Sequence, residues 1–276
     1  MEIKKVAIQG ILGSFHHEAT SRFFNEEFAL VSCVNFHDIP ECLHTNTAHF
    51  AVMAIENSIA GSIIPNYAII DNNRLKIVGE VFINIQQNLM ALPNQQIADL
   101  KMVYSHPMAL LQTREYFKKY PHIELVEYTD TAQAAKRIKN ENLKGVGAVA
   151  SLVSADIYEL TVLEQSIQTI KNNATRFFVL QNDVNPKYEV AHINKASLKF
   201  ITKHQVGSLS SALKIFADRK VNLSKIQSMP IIETPFEYAF FVDVVFDSYE
   251  QYKLALIELE AHVSHLKILG EYQQNN

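Results

Sequence analysis

The sequence predicts an α/β protein in two parts: a domain over residues 1–182, a linker over 183–195, and a smaller module over 196–276 with the element order βαββαβ. Three observations lead there. Over the first ~180 residues, short apolar strand-like runs alternate with stretches of helical period. From Asn182 to Lys195 that pattern loosens, and Asp183, Asn185 and Pro186 mark a domain border. Beyond the border, strands and helices alternate in the order of a ferredoxin-like split βαβ unit.

Each element has a local reason. Lys5 to Gln9 is a short apolar strand that runs into the Gly10/Gly13 turn, and Ser14 is placed to cap the helix that follows. Phe50 to Ile55 is a buried-type strand, with Glu56-Asn57-Ser58 just past its end. Met102 to Tyr104 is a third strand. Ser105 ends it, and Pro107 suits the first turn of a helix through Phe117. Ile123 to Tyr128 is strand-like, and Asp130 can cap a helix over Ala132 to Lys139. Gly145 to Ala150 is a further strand ending at Ser151, and Thr175-Arg176 open the strand-like run Phe177 to Leu180. Polar motifs therefore begin where strands stop, which is where open α/β sheets collect ligands. In the second module, Ser197 to Ile201 is a strand. Leu209, Ala212, Leu213, Phe216 and Ala217 recur on one helical face. Asn222 turns the chain into the strand Leu223 to Ser228, and Ala239 to Phe246 is strongly β-prone. Ser248 and Gln251 can form a capping box for a helix through His262, and Leu266 to Leu269 is a last short strand.

Composition narrows the function. A hydrophobic fraction of 48% in 276 residues supports packed cores and excludes a disordered chain. A net charge of −4 supplies no basic field for nucleic acid, so any attraction for an anion has to be local. Cys33 and Cys42 are too few for a disulfide framework and lack metal or redox spacing, which points to a reducing, cytoplasmic setting. No stretch approaches the roughly 18 apolar residues of a membrane helix, so no membrane partner is expected. His16-His17 and His262/His265 have no acidic or cysteine partner at ligand spacing. Neither a metal nor a cofactor is expected.

The residues that carry chemistry are oxygen and nitrogen donors. Arg176 can fork onto a carboxylate, or pair with Glu56 and hold a cleft in shape. The Thr175 hydroxyl beside it can donate to a neutral oxygen or merely cap the strand start. Glu56 can serve as an acid if burial raises its pKa, or accept backbone amides. Asn57 and Ser58 are short polar donors at a strand end, and Ser14 at a helix start can both cap and meet an anion. Gly13, Ser105, Gln112 and Thr131 belong to the same set of strand-end and helix-start positions. His106 before Pro107 can titrate near neutral pH or only fix the turn, and Phe177 can pack in the core or touch a ligand ring.

In series these motifs resemble the prephenate dehydratase family. Gly10-Ile11-Leu12-Gly13-Ser14-Phe15 resembles its first glycine-rich turn, Glu56-Asn57-Ser58-Ile59-Ala60-Gly61 its E-N-S-x-x-G segment, and Ser105-His106-Pro107 with Gln112 its S-H-P segment. Asp130 to Ala135 and Ala148 to Ser151 fall where the family carries similar small-residue runs, and Asn173-Ala174-Thr175-Arg176-Phe177 completes the set. Beyond residue 195 the chain resembles an ACT domain: Gly207-Ser208-Leu209 is similar to its G-A-L turn, and Asn222-Leu223-Ser224-Lys225-Ile226-Gln227-Ser228-Met229-Pro230 to its N-L-x-x-I-E-S-R-P segment.

The resemblance implies a catalytic domain of two lobes, like a periplasmic binding protein, followed by the ACT module. It implies conversion of prephenate to phenylpyruvate, carbon dioxide and water, with Thr175 at the leaving hydroxyl. Catalytic roles then fall to Thr175, Arg176, Glu56, Asn57 and Ser58, and substrate contacts to Gly13, Ser14, Ser105, Gln112, Thr131 and Phe177. L-phenylalanine is the implied effector, bound through Gly207, Ser208, Leu209, Asn222, Leu223, Gln227, Ser228, Met229 and Pro230 where ACT domains pair in a homodimer or homotetramer. This chain departs from the family at Ile11 and His16 in the first turn, and at Gln227 and Met229, which stand for Glu and Arg in the effector segment. The competing readings are an arogenate dehydratase, a non-catalytic amino-acid sensor and a two-lobed solute-binding module.

Overall fold

A computed structural model describes residues 3–184, 188, 190–231, 234 and 237–275. Of the expected domain border, Asn185 and Pro186 lie outside the described residues. In chain order the elements are β1 (Lys4–Gln9), α1 (Phe15–Phe24), β2 (Phe28–Cys33), α2 (Ile39–His44), β3 (Phe50–Asn57), β4 (Gly61–Ser62), α3 (Ile64–Asn72), β5 (Leu75–Asn84) and β6 (Asn88–Ala91). They continue with β7 (Met102–Ser105), α4 (Pro107–Phe117), β8 (Glu124–Glu127), α5 (Thr131–Asn140), β9 (Val146–Ala150), α6 (Leu152–Ile157), β10 (Thr161–Glu164) and β11 (Ala174–Asn182). The last six are β12 (Lys195–Ile201), α7 (Ser208–Asp218), β13 (Asn222–Pro230), β14 (Tyr238–Val245), α8 (Tyr249–His262) and β15 (His265–Tyr272).

The chain divides into two compact units. The first comprises residues 1–61 and 81–177, the second residues 62–80 and 178–276. The expected split at 182 followed the sequence; by contacts, α3 and the first half of β5 group with the C-terminal residues.

The first unit carries two lobes, each on its own sheet. In one, β1 pairs in parallel with β2 (Val6 opposite Leu30) and with β3 (Val6 opposite Phe50), and β11 lies on the far side of β3. In the other the order is β10-β6-β9-β7-β8, with β7 parallel to both neighbours and β6 antiparallel to β9. The chain crosses between lobes twice, after β5 and before β11. Parallel strands buried on both faces read as continuous apolar runs, and β3 and β9 do so: Phe50 to Ile55 and Val146 to Ala150 are all buried. Helix starts follow local chemistry. Ser14 accepts from His17 N, Asp130 from Ala132 N and Gln133 N, and Ser151 from Ser154 N. Each cap satisfies amides that a helix leaves open.

The second unit contains the βαββαβ module, with sheet order β13-β14-β12-β15, in which β13 with β14, β14 with β12 and β12 with β15 all pair antiparallel. This is the ferredoxin-like arrangement. The buried face of α7 is Ala212, Ile215 and Phe216. Ala217, expected in that face, is exposed, because Ile215 falls one residue nearer the middle of the apolar stripe. Ser248 accepts from Gln251 N at 3.3 Å, the first half of the expected capping box; the returning bond from the Gln251 side chain is absent among the described residues. Beside β15 runs the first half of β5. Gly270 lies opposite Ile77, and a Cβ on Gly270 would fall 2.1 Å from the Ile77 carbonyl oxygen. Only glycine allows two backbones that close.

Candidate active site

The end of β3 and the start of β11 form one bonded cluster. Ser58 N donates to Ala174 O at 2.8 Å, and Ala174 N donates back to Ser58 Oγ at 3.0 Å. Asn57 turns the chain after β3, because its Oδ1 accepts from Ile59 N and Ala60 N at 3.0 and 2.9 Å. Its Nδ2 donates to Asn173 Oδ1 at 2.6 Å and to Thr175 Oγ1 at 2.9 Å, with Ala174 O further off at 3.4 Å. Next to this cluster Arg176 approaches Glu56, with nitrogen and oxygen 3.9 Å apart, and its guanidinium sits 5.9 Å from the centre of the Phe82 ring. Thr175 and Arg176 are 8% and 4% exposed, and Glu56 is half-buried. The site thus offers a nearly dry hydroxyl and guanidinium, groups that hold an oxygenated anion.

The first glycine turn is clasped from the other lobe. Gly13 O accepts from Ser151 Oγ at 2.7 Å and Ser154 Oγ at 2.9 Å, and Leu12 O accepts from Tyr158 OH at 2.7 Å. Gly13 has φ +91°, and a Cβ there would lie 2.8 Å from Ser154 Oγ. Its missing side chain serves the approach of α6. Ser14 is nearly buried, with its Oγ capping α1. Burial, and then the charge of Asp130, push the Tyr158 phenol up to about 12. The Asp130 carboxylate thus lies beside this turn, whereas Arg176 of the Asn57 cluster is a buried cation.

His16 replaces the expected hydroxyl of this turn and points into the first lobe. Its Nε2 accepts from Ala54 N at 3.3 Å, and its ring meets Phe177 edge-on at 5.0 Å. Burial lowers its pKa to about 3, so the imidazole is neutral. Phe177 is fully buried against it.

The remaining candidates have other neighbours. Ser105 Oγ donates to Val149 O at 2.6 Å and ties β7 to β9. His106 caps α4 by accepting from Met108 N. Gln112 meets Gln87 Nε2 at 3.4 Å and accepts from Thr169 through its carbonyl. Thr131 opens α5, half-buried, after the Asp130 cap. Two participants have no place in the list drawn from sequence: Phe82, which no local pattern marks, and Asn173, whose signal was its position at the head of the Thr175-Arg176 motif. Among the described residues no cluster of His, Cys, Asp and Glu could hold a metal ion. Cys33 and Cys42 are free thiols with sulfurs 3.7 Å apart.

In the second unit, Gly207 (φ +83°), Ser208 and Leu209 line a cavity of about 340 Å³ together with Lys203, His204 and Glu237. Asn222, Leu223, Gln227, Ser228, Met229 and Pro230 lie on the edge strand β13, outside that cavity. Gln227 Nε2 donates to Ser228 O at 2.9 Å, and Met229 stands opposite Ala239.

An α/β domain that brings a hydroxyl, an amide and a guanidinium to strand ends, followed by a ferredoxin-like module, defines a class of two-part enzymes for small oxygenated molecules. The chain belongs to the prephenate dehydratase family, whose description matches residues 6–185. It is 31% identical to a prephenate dehydratase of Methanocaldococcus jannaschii over 94% of both chains. It is 36% identical to arogenate dehydratase 2 of Petunia hybrida, over 99% of this chain and 72% of that one. Among solved structures, the prephenate dehydratase of Arthrobacter aurescens in complex with L-Phe aligns at a TM-score of 0.85 and 24% identity, over 98% of this chain and 90% of that one. GqqA, described as a quorum quenching acylase, aligns at 0.87 and 27%, over 99% and 98%. Fold alone therefore does not fix the chemistry; the family's motif residues do more to narrow it.

Proposed function

We propose that this chain converts prephenate to phenylpyruvate, carbon dioxide and water, and that L-phenylalanine regulates it through the C-terminal module, which we read as an ACT domain. The observation that carries the catalytic reading is the Asn57 amide holding the Thr175 hydroxyl at 2.9 Å, beside a buried Arg176. In the reaction the electron pair of the bond to the ring carboxylate enters the ring as carbon dioxide leaves. The carbon–hydroxyl bond breaks, its oxygen keeps that pair, and one proton makes it water. Aromatisation supplies much of the driving force, so the protein's task is to hold the carboxylates and ease departure of the oxygen. Arg176 takes a carboxylate. Thr175 has too high a pKa to be a free acid; it donates a hydrogen bond or relays a proton to the leaving oxygen, a contribution of roughly 10²–10⁴-fold. Ser58, Ser14 and Thr131 are further candidates for substrate contact.

For regulation, the support is the cavity at Gly207, Ser208 and Leu209 and the L-Phe complex of the Arthrobacter protein. Phenylalanine must favour one of two states of the enzyme to change its rate. Pairing of β13, an edge strand among the described residues, with a second copy would cover its open backbone groups and assemble the homo-oligomer. The enzyme is expected in the cytoplasm. A second reading, favoured by the Petunia relative, is arogenate as substrate, which exchanges the ketone for an amine. The deciding experiment follows phenylpyruvate from prephenate and phenylalanine from arogenate, for wild type and Thr175→Ala, the prephenate arm with and without phenylalanine. The proposal expects faster turnover of prephenate and its loss in the variant. A folded wild type inert toward both substrates leaves the non-catalytic sensor.

A further inference from the structure

The backbone fixes which way round the Asn57 amide lies. Its Oδ1 takes two backbone N–H groups, Ile59 at 3.0 Å and Ala60 at 2.9 Å, so the nitrogen end is the one that faces Asn173 and Thr175. An amide nitrogen carries two hydrogens, and the two short contacts, 2.6 Å to Asn173 and 2.9 Å to Thr175, use both. Asn57 is thereby committed to its neighbours.

That commitment fixes the neighbours in turn. Asn173 must offer Asn57 an acceptor, so its Oδ1 points there and its Nδ2 is the opposite end. Asn173 is 0% exposed, and its Nδ2 has no hydrogen-bond partner among the described residues. Thr175 accepts from Asn57, which leaves the hydroxyl hydrogen free for another acceptor. Two donors, one amide and one hydroxyl, are thus held by one positioning group and left without acceptors among the described residues. A buried donor without an acceptor costs stability, and native proteins keep few of them unless something else completes the bond. Of the other unpartnered buried amide atoms among the described residues, Gln95 Nε2 is likewise oriented, because Gly145 N donates to Gln95 Oε1, and Gln87 Oε1 has no backbone donor; neither stands in the cluster of Asn57, Asn173 and Thr175.

We infer that Asn173 is a substrate-binding residue whose Nδ2 donates to the same oxygen-bearing group of the substrate as the Thr175 hydroxyl, with Asn57 as the positioning residue that aims both. The inference rests on the dehydratase reading above. As the carbon–oxygen bond breaks, charge grows on the departing oxygen. A neutral amide donor stabilises it without giving up a proton, while Thr175 donates or relays the one that makes water.

Two variants test this in the full chain. Asn173→Asp keeps an acceptor for Asn57 and removes the donor; Asn173→Leu removes the donor without adding charge. Both are expected to stay folded by circular dichroism and to lose on the order of 10²–10³-fold in kcat/KM for prephenate, the scale of one missing preorganised donor. Asn173→Asp is further expected to regain activity relative to wild type as pH falls, because a buried carboxyl has a raised pKa and its protonated form donates again. A folded variant within about threefold of wild-type kcat/KM overturns the inference. So does an Asn173→Asp pH profile that parallels the wild type, and this holds even if Asn173→Leu fails to fold. If wild type does not turn over prephenate, the dehydratase reading fails instead. The donor is then tested by thermal shift with prephenate, which keeps the ring hydroxyl; equal shifts in wild type and Asn173→Asp count against it and loss of the shift in the variant supports it.

Discussion

Each unit has a buried polar cluster, and the two clusters are completed in opposite ways. In the second unit, Lys195 Nζ meets both oxygens of Glu80 at 2.8 and 2.9 Å with both side chains almost fully buried. There Ser197 Oγ donates to Asp243 Oδ1 at 2.5 Å and lies 2.7 Å from Tyr272 OH. A Tyr–Ser–Asp chain of this kind gives each hydroxyl a partner. In the first unit, the Asn57 cluster ends in two donors, Asn173 Nδ2 and the Thr175 hydroxyl, with no acceptor among the described residues. Closed networks hold a fold, whereas open ones mark where a ligand completes the bonding. The contrast separates structural from functional polar groups more cleanly than residue type does, since Asn, Ser and Thr occur in both roles here.

The largest effect expected from breaking the closed side is loss of stability. Lys195→Met takes the cation from the buried Glu80 carboxylate, which keeps the Asn275 N–H at 3.3 Å, and removing one partner of a buried pair costs about 3–5 kcal/mol. Urea unfolding should show that loss, while the double variant Glu80→Met/Lys195→Met should recover most of it. If the single variant unfolds like wild type, the pair is not the anchor described. Breaking the open side should do the reverse. Thr175→Ala is expected to lower kcat by roughly 10²–10³-fold with the unfolding midpoint nearly unchanged, since the hydroxyl accepts a single bond, from Asn57. Gly270→Ala sharpens the comparison within the second unit. An added methyl 2.1 Å from the Ile77 carbonyl forces the strands apart, a strain expected to cost about 1–3 kcal/mol in the same denaturation assay.

What the sequence disclosed follows the range of each interaction. The helix Pro107 to Phe117 is present with the expected bounds, because Pro at the first turn and the preceding strand end are local signals. The caps by Ser14, Asp130 and Ser248 were equally legible. The strand β3 runs two residues further than its apolar run, through Glu56 and Asn57, because pairing carries a strand past the point where hydrophobicity stops. The grouping of residues 62–80 with the C-terminal residues was not legible. It depends on Lys195 with Glu80 and Gly270 with Ile77, contacts between segments far apart in the chain. At the site, the residue types at 56–58 and 173–177 could be read, and their partnership could not. Asn57 looks like a free donor in the sequence, and only a bond across 116 positions reveals that Asn173 uses it.

Acid separates the two units by a smaller effect. In the first unit His16 is buried and neutral with a pKa of about 3, against an ordinary 6.5. The folded form binds its proton less readily than the unfolded chain, so stability falls as pH drops below 6.5 and goes on falling toward 3. At pH 5.5 the loss from this one group is about 1.3 kcal/mol relative to neutral pH. In the second unit burial alone would raise the Asp71 carboxyl; hydrogen bonds and charges from Lys199 and Lys267 outweigh it and leave the pKa below its ordinary value. That contribution is intact above the ordinary carboxylate range and is lost only as pH falls through the lowered value. Urea midpoints between pH 7.5 and 5 should therefore fall for wild type and fall less for His16→Gln, which can still accept from Ala54 N. Asp71→Asn should leave the slope over that interval unchanged. Equal slopes for wild type and His16→Gln would mean that the imidazole gains its proton without leaving its place against Phe177, and that this corner of the first unit is wetter than its burial implies.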